Sequence, residues 1–153
     1  MSYQEYIYDK FIFKVKEGIY YHRDGCWVKV LNNSNIVTVG VTDFLQTLNG
    51  DTASIKLYGV GVNVKQGETL GDIETMKVSF EVLSPVTGKI TEQNNALIES
   101  PELINTEPYE SGWLVKIELA DFNKDRINLM DSDKYFDYMK QQVEEEGRKL
   151  GKE

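Results

Sequence analysis

Hydrophobic and polar positions alternate with the two-residue period of a β-strand in several short segments of this chain. The alternation predicts an edge strand over residues 11–16 and a second strand over residues 113–119. Gly, Asn and Pro separate such segments at intervals typical of all-β folds. The pattern therefore predicts a mainly β protein, a β-sandwich or barrel-like sandwich.

Two segments rich in β-branched residues, 27–31 and 36–39, flank an Asn-rich turn and predict a β-hairpin. A short helix follows in our prediction, capped by Thr42 or Asp43 and ended by Asn49 and Gly50. His22 follows two tyrosines, and we expect it in a surface loop.

The period changes near the C-terminus. Tyr135, Met139 and Val143 recur at the four-residue spacing of one helix face, and Asp131 or Ser132 can cap the helix. We therefore expect an α-helix over about residues 131–149, packed on a β core over about residues 11–120. The length of 153 residues suits a single domain over 1–153, expected as a monomer.

Composition narrows the function. A net charge of −8 argues against nucleic acid and anionic membrane as partners. The N-terminus is not that of a signal peptide, and no segment has the apolar length of a membrane span, so we expect a cytoplasmic protein. One Cys excludes an internal disulfide and a Cys-only zinc site. One His excludes His-pair metal motifs and argues against His-based catalysis. We expect a binding or carrier module rather than an enzyme.

The informative position is Lys77. It lies between two predicted strands, over residues 70–75 and 78–83, so it should project from the tip of a hairpin. An exposed amine at such a tip can be acylated by a modifying enzyme. A lysine in a turn more often serves only solubility.

Several separate segments, in this order, resemble the H protein of the glycine cleavage system, a lipoyl carrier related to lipoyl and biotinyl domains. Glu-Thr-Met-Lys at 74–77 resembles the family's Glu-Ser-Val-Lys attachment site. The resemblance extends over roughly residues 20–145, and its segments are 27–30, 36–43, 50–51, 61–67, 74–77, 84–90, 95–97, 100–105 and 108–117.

The resemblance implies a barrel-sandwich hybrid with short helices and a C-terminal helix, and lipoate attached to Lys77. It implies that the arm carries an aminomethyl group and reducing equivalents between partner enzymes. These partners are a pyridoxal-phosphate glycine decarboxylase, an aminomethyltransferase, a dihydrolipoyl dehydrogenase and a lipoyl-attaching enzyme. Glu74 is a candidate contact for the attaching enzyme or an ordinary solvated strand residue.

Departures from the family pattern concern the cleft that holds the loaded arm. Typical members have His-Glu where this chain has Gly25 and Cys26, and some have His at the position of Leu48. The acidic residue four positions after the attachment lysine is kept as Glu81. We expect Glu81, Cys26 and Leu48 to line that cleft, which would then suit a neutral or thiophilic group better than an amine. The alternative for Cys26 is a small buried hydrophobic residue, which is what a lone cysteine usually is.

Three alternatives stay open at this point. The chain could be an H-like lipoyl carrier for a sulfur-oxidising, heterodisulfide-reductase-like system, or a relay that donates lipoyl groups. It could be a biotin carrier, since Met76-Lys77 resembles part of a biotinyl site. It could also be a relative whose lysine is unmodified.

Overall fold

The computed structural model describes residues 2–31 and 34–150. Asn32 and Asn33 of the predicted Asn-rich turn lie outside the described residues. The strands within the described part are β1 (Tyr3–Tyr8), β2 (Phe11–Lys16), β3 (Tyr20–His22), β4 (Cys26–Val30), β5 (Ile36–Val41), β6 (Thr52–Leu57), β7 (Asn63–Val64), β8 (Thr69–Thr75), β9 (Ser79–Leu83), β10 (Gly88–Gln93), β11 (Val115–Leu119) and β12 (Leu129–Met130). The α-helices there are α1 (Asp43–Asn49), α2 (Ala96–Glu99), α3 (Leu103–Thr106), α4 (Phe122–Asp125) and α5 (Ser132–Leu150).

Two antiparallel sheets enclose the main core. The larger, curled sheet has the strand order β12-β3-β4-β5-β11-β10-β7, and the smaller has the order β6-β8-β9. Strands of both sheets contribute buried side chains to one hydrophobic cluster, for example Val39 and Ile117 from the larger sheet and Ile73 and Val82 from the smaller. The predicted mainly β sandwich with short helices and a C-terminal helix is confirmed.

The hairpin of β4 and β5 is built around Trp27. The Trp27 ring lies against Gly40, where a Cβ atom would come within 2.5 Å of ring carbon Cζ2. The indole N–H donates to the carbonyl oxygens of Val41 and Pro108, each at 3.0 Å. The glycine thus allows a large aromatic side chain to be buried flat on the neighbouring strand.

The predicted short helix α1 begins and ends as its sequence indicates. The Thr42 hydroxyl accepts the Leu45 N–H at 3.1 Å, which makes Thr42 the N-cap. The helix ends at Gly50, whose φ of 87° lies in the left-handed region and whose N–H donates to the Gln46 carbonyl. This end of α1 is important because it reaches the turn that carries Lys77.

Helix α5 and a separate hairpin form a second, aromatic-rich cluster. Tyr135, Met139 and Val143 are buried as predicted, and the Asp131 carboxylate caps the helix by accepting the Lys134 N–H. The β1–β2 hairpin packs on this helix and on α1. The strand over residues 11–16 was predicted, but its partner β1 was not.

The structure corrects one expectation. His22 is not a surface residue: it lies in β3 with 7% of its surface exposed, and its Nδ1 accepts the Asp24 N–H at 3.1 Å. Lys16, in the predicted strand over residues 11–16, is only 1% exposed and pairs with Glu110. In the described part of the chain, no helix has the length and apolarity needed to cross a membrane.

Candidate functional site

Lys77 lies at the tip of the β8–β9 hairpin, in a turn organised by Thr75. The Thr75 hydroxyl accepts the N–H groups of Lys77 and Val78, at 3.1 and 2.9 Å. The same hydroxyl lies 2.7 Å from the Asn49 carbonyl oxygen, to which it donates. One side chain therefore fixes the turn and ties it to the end of helix α1.

A second set of hydrogen bonds joins this turn to residues 50–52, which follow helix α1, and joins those residues to helix α3. The Met76 N–H donates to the Asp51 carbonyl at 2.9 Å. Asn105, from α3, donates to the Gly50 carbonyl and accepts the Thr52 N–H, both at 2.9 Å. The backbone that presents Lys77 is thus attached to helices from two other parts of the chain.

The Lys77 side chain itself is exposed. Its Nζ atom lies 3.4 Å from the Leu48 carbonyl oxygen in the last turn of α1. Among the described residues no carboxylate forms an ion pair with this amine. The amine is therefore accessible to a modifying enzyme and is not held in a structural salt bridge.

A cavity of about 570 Å³ opens beside Lys77. This volume is in the range of small-molecule and cofactor sites, about 300–1,000 Å³. Its walls come from the β1–β2 hairpin, helix α1 and the last turns of α5. The aromatic and aliphatic lining residues are Tyr8, Phe11, Phe13, Phe44, Leu48 and Val143, and the others are Asp9, Thr47, Lys77, Glu146 and Gly147.

The structure brings only some of the predicted site residues together. Leu48 and Lys77 both line this cavity. Glu74 and Glu81 are exposed on β8 and β9, and Glu81 is paired in register with Asp72. Neither glutamate lines this cavity. They share the outer face of the smaller sheet with Asp72 and with Lys56, which is in register with Asp72, so acidic side chains outnumber basic ones there.

Cys26 belongs to the interior. It is 1% exposed and forms part of the main hydrophobic core. Burial, with a smaller contribution from the negative charge of Asp24, raises the pKa of its thiol to about 12. The side chain is therefore a neutral, enclosed thiol at physiological pH, and it is not among the residues that line the cavity beside Lys77.

Sequence reasoning missed Thr75 and the whole hairpin wall of the cavity. The signal for Thr75 was present, since a hydroxyl residue two positions before a turn lysine can accept the backbone N–H groups of the turn. Nothing in the sequence placed Phe11 or Asp9 near Lys77, because that proximity arises only from packing. Within the described residues no group of His, Cys, Asp and Glu side chains could hold a metal ion.

Comparison with known proteins gives a consistent result. The family model for the glycine cleavage H-protein matches residues 19–142. The probable glycine cleavage system H protein of Thermococcus gammatolerans is 42% identical over 127 residues, covering 83% of this chain and 93% of that protein. The glycine cleavage system H protein of Coprothermobacter proteolyticus is 48% identical over 108 residues, covering 71% and 84%.

The three-dimensional structure agrees with these sequence matches. The crystal structure of a glycine cleavage system H protein from Mycobacterium marinum superimposes with a TM-score of 0.68 at 26% identity, covering 79% of this chain and 95% of that one. The β1–β2 hairpin and the end of α5 lie outside the range that the family model matches. By sequence and by fold, this chain belongs to the glycine cleavage H-protein family, whose members are lipoyl carriers.

Proposed function

We propose that this protein is the non-catalytic lipoyl carrier of a glycine cleavage system, with lipoate joined by an amide to the Lys77 amine. The observation that supports this most directly is the Lys77 turn. It presents an exposed amine at the tip of a hairpin that Thr75 and the end of α1 hold in place. Family membership gives that amine its expected modification.

The residues around the amine fit such a group. Acylation removes the lysine charge, and the neutral amide N–H can still donate to the nearby Leu48 carbonyl. Beyond that carbonyl, the cavity offers an apolar surface along which an aliphatic chain can lie. When bound, lipoate supplies a dithiolane that is opened by reduction, carries a group on sulfur and is closed again by oxidation.

The protein's own contribution is presentation. A rigid turn at the root of a flexible arm keeps the arm's attachment point fixed while its far end visits different active sites. Tethering makes each visit effectively intramolecular, at about millimolar effective concentration for a short flexible linker. The proposed partners are a pyridoxal-phosphate glycine decarboxylase, an aminomethyltransferase and a dihydrolipoyl dehydrogenase.

The acidic face below the turn is the proposed contact for the lipoyl-attaching enzyme. Asp72, Glu74 and Glu81 are all exposed on adjacent strands of the smaller sheet. A net charge of −8 favours encounter with a basic surface. Charge-neutral variants such as Glu74→Gln should slow the association step, and the effect should shrink as ionic strength rises.

The test is the intact mass of the protein, produced with lipoate and a lipoyl-attaching enzyme, followed by peptide mapping. We expect one lipoyl increment, located on Lys77. Lys77→Arg should lose the increment and keep the fold, whereas Lys89→Arg, which changes another exposed lysine, should remain modified. A mass increment retained in Lys77→Arg would show that a lysine other than Lys77 is modified. A biotin increment would show a biotin carrier in place of the proposed lipoyl carrier.

The choice of metabolic system needs a second measurement. The lipoylated protein should support glycine decarboxylation with partner enzymes from the same source. A carrier that is lipoylated yet inert in that assay would favour the sulfur-oxidising alternative. The buried Cys26 lends that alternative no accessible thiol.

A further inference from the structure

We infer that the outward face of the β1–β2 hairpin is a self-complementary docking surface, on which a second copy of this chain packs to form a weak dimer. The hairpin lies outside residues 19–142, the range that the family model matches. The inference assigns a role to this additional segment. It does not depend on lipoylation of Lys77.

The outward face carries an exposed pair of isoleucines. β1 and β2 are antiparallel, and their register pairs Ile7 with Ile12. Ile7 is 68% exposed and Ile12 is 52% exposed. A strand pair that packs one face on a core normally presents polar side chains on its other face. Single exposed apolar residues are common, whereas two adjacent ones form the apolar centre of a possible contact surface.

The inward face of the hairpin is already covered by the protein itself. The Phe13 ring meets the Phe44 ring of α1 edge-on, with 5.9 Å between the ring centres. The Tyr6 ring meets the Phe136 ring of α5 edge-on at 6.4 Å. Because these contacts hold the hairpin against two helices, its outward face is a preformed surface, and docking on it requires little ordering of the backbone.

Two opposite charges lie next to the isoleucines. Glu5 and Lys14 are paired in the register, two residues along the strands from Ile7 and Ile12, so all four side chains share one face. Glu5 and Lys14 are both exposed. Neither of them belongs to an ion pair with any residue that the structure describes. The outward face therefore consists of one apolar row and one row with a carboxylate beside an ammonium.

This arrangement is complementary to itself. When two hairpins stack face to face about a two-fold axis that runs along the strands, each β1 lies over the β2 of the other copy. Ile7 then faces Ile12 of the second copy. Glu5 faces Lys14 of the second copy, and each contact occurs twice. A two-fold axis across the strands would instead place Glu5 against Glu5 or Ile7 of the second copy, so charge complementarity selects the first arrangement.

The distribution of charge also favours a second copy at the hairpin. The net charge of −8 opposes association between two copies of the chain. Residues 3–16 depart from this balance, because they contain three lysines and two acidic residues. At physiological ionic strength, charges more than about 8 Å apart are largely screened, so the pairs in contact determine the outcome. The hairpin is therefore a surface where self-association meets little repulsion.

The interface is small, so the dimer should be weak. The outward face offers only a few exposed side chains, which puts the total buried area below about 1,200 Å² and the expected dissociation constant at about 0.1 mM. With the two-fold axis along the strands, the hairpin turns of both copies lie at the same end of the dimer. Asp9 of this turn lines the same cavity as Lys77. The dimer would therefore present both Lys77 side chains at one end.

Sedimentation equilibrium tests the surface. Wild type should pass from monomer to dimer between about 10 µM and 1 mM, a range around the expected dissociation constant. Ile7→Lys should stay monomeric, because it places an ammonium group in the apolar centre of the interface. Ile98→Lys, at an isoleucine that is 77% exposed on α2, makes the same change in charge and should dimerise like wild type.

Exchange of charges tests the orientation. Glu5→Lys makes like charges face each other twice and should weaken the dimer about tenfold, as should Lys14→Glu. The double variant, Glu5→Lys with Lys14→Glu, is self-complementary again and should dimerise like wild type. An equimolar mixture of the two single variants should form a heterodimer, since every lysine then faces a glutamate. Glu99→Lys, at an exposed carboxylate on α2, controls for the change in net charge.

Three results would overturn the inference. The first is a wild-type chain that stays monomeric up to about 1 mM, well above the expected dissociation constant. The second is a dimer that persists in Ile7→Lys, and the third is a mixture of the single variants that shows no preference for the heterodimer. Formation of the heterodimer also shows that both single variants are folded. Lipoylated and unmodified chains should give the same dissociation constant, so this test and the test of lipoate attachment fail separately.

Discussion

The Lys77 Nζ atom lies 3.4 Å from the backbone carbonyl oxygen of Leu48, in the last turn of helix α1. Carbonyl groups at a helix C-terminus lack partners within the helix and carry a partial negative charge. They therefore attract an ammonium group and can equally accept the N–H of an amide. The same contact can orient the lysine before modification and the root of the arm after it.

Thr75 should control how well the turn is presented. Thr75→Val removes the acceptor of two turn N–H groups and a donor to α1, while preserving the shape of the side chain. We expect the free energy of unfolding to fall by about 1–2 kcal/mol, since water can reach part of the exposed turn. Urea denaturation measures this, and a time course of intact mass should show slower lipoylation. Thr75→Ser keeps the hydroxyl and should match wild type; equal loss in both variants would contradict the hydrogen-bonding role.

Cys26 should be unreactive in the native protein. Its thiol is enclosed in the main core, and burial raises its pKa to about 12. Modification by a disulfide reagent at pH 7 should be at least about a hundredfold slower than in the urea-unfolded chain, because both thiolate formation and access are suppressed. Rapid modification of Cys26 in the folded protein would contradict its buried position and would make a functional role for its thiol possible. A Cys26→Ala variant supplies the blank for the assay.

The Lys16–Glu110 pair should fasten the hairpin. Glu110→Gln leaves a buried ammonium with a neutral partner, and we expect a loss of about 1–3 kcal/mol in the free energy of unfolding. Lys16→Met combined with Glu110→Gln should recover part of it. Glu102→Gln, at an exposed carboxylate in the same region, is the control and should change stability little. A Glu110→Gln protein as stable as wild type would mean that the pair contributes nothing measurable.

The same pair predicts an acid-sensitive component of stability. The hydrogen bond from Lys16 holds the pKa of Glu110 below its ordinary value of 4.5. Its stabilisation is complete above pH 4.5 and is lost as the pH falls through the lower pKa of the folded protein. Thermal unfolding scans across this range should show a shallower acid decline in Glu110→Gln than in wild type.

His22 should produce a second pH-dependent loss of stability, at a pH nearer to neutral than the loss caused by Glu110. Burial lowers its pKa below the ordinary value of 6.5, and the neighbouring Arg23 acts in the same direction, against Asp24. The unfolded chain then binds the proton more readily, so stability is complete above pH 6.5 and falls as the pH drops through the folded pKa. His22→Asn keeps an acceptor for the Asp24 N–H and should reduce the loss of stability between pH 6.5 and the folded pKa. An unchanged pH profile in that variant would assign the decline to other groups.

Local patterns in the sequence were sufficient to predict the elements that carry Lys77, the proposed attachment site. The strand-like segments 70–75 and 78–83 predicted the strands on either side of Lys77, and the position of the lysine between them predicted the hairpin tip. The cap at Thr42 and the stop at Gly50 predicted helix α1, and the stripe of Tyr135, Met139 and Val143 predicted α5. These features depend on neighbours within a few residues, so the sequence alone determines them.

Packing between distant segments decided the rest. The interior positions of His22 and Lys16 follow from which strand faces which partner, and no local pattern contains that information. The cavity joins Phe11 and Val143 to Lys77, from three parts of the chain that periodicity treats independently. The sequence by itself thus determined the turn that presents Lys77. Only the tertiary structure decided what surface lies beside that lysine, because side chains distant in sequence meet only through the folded core.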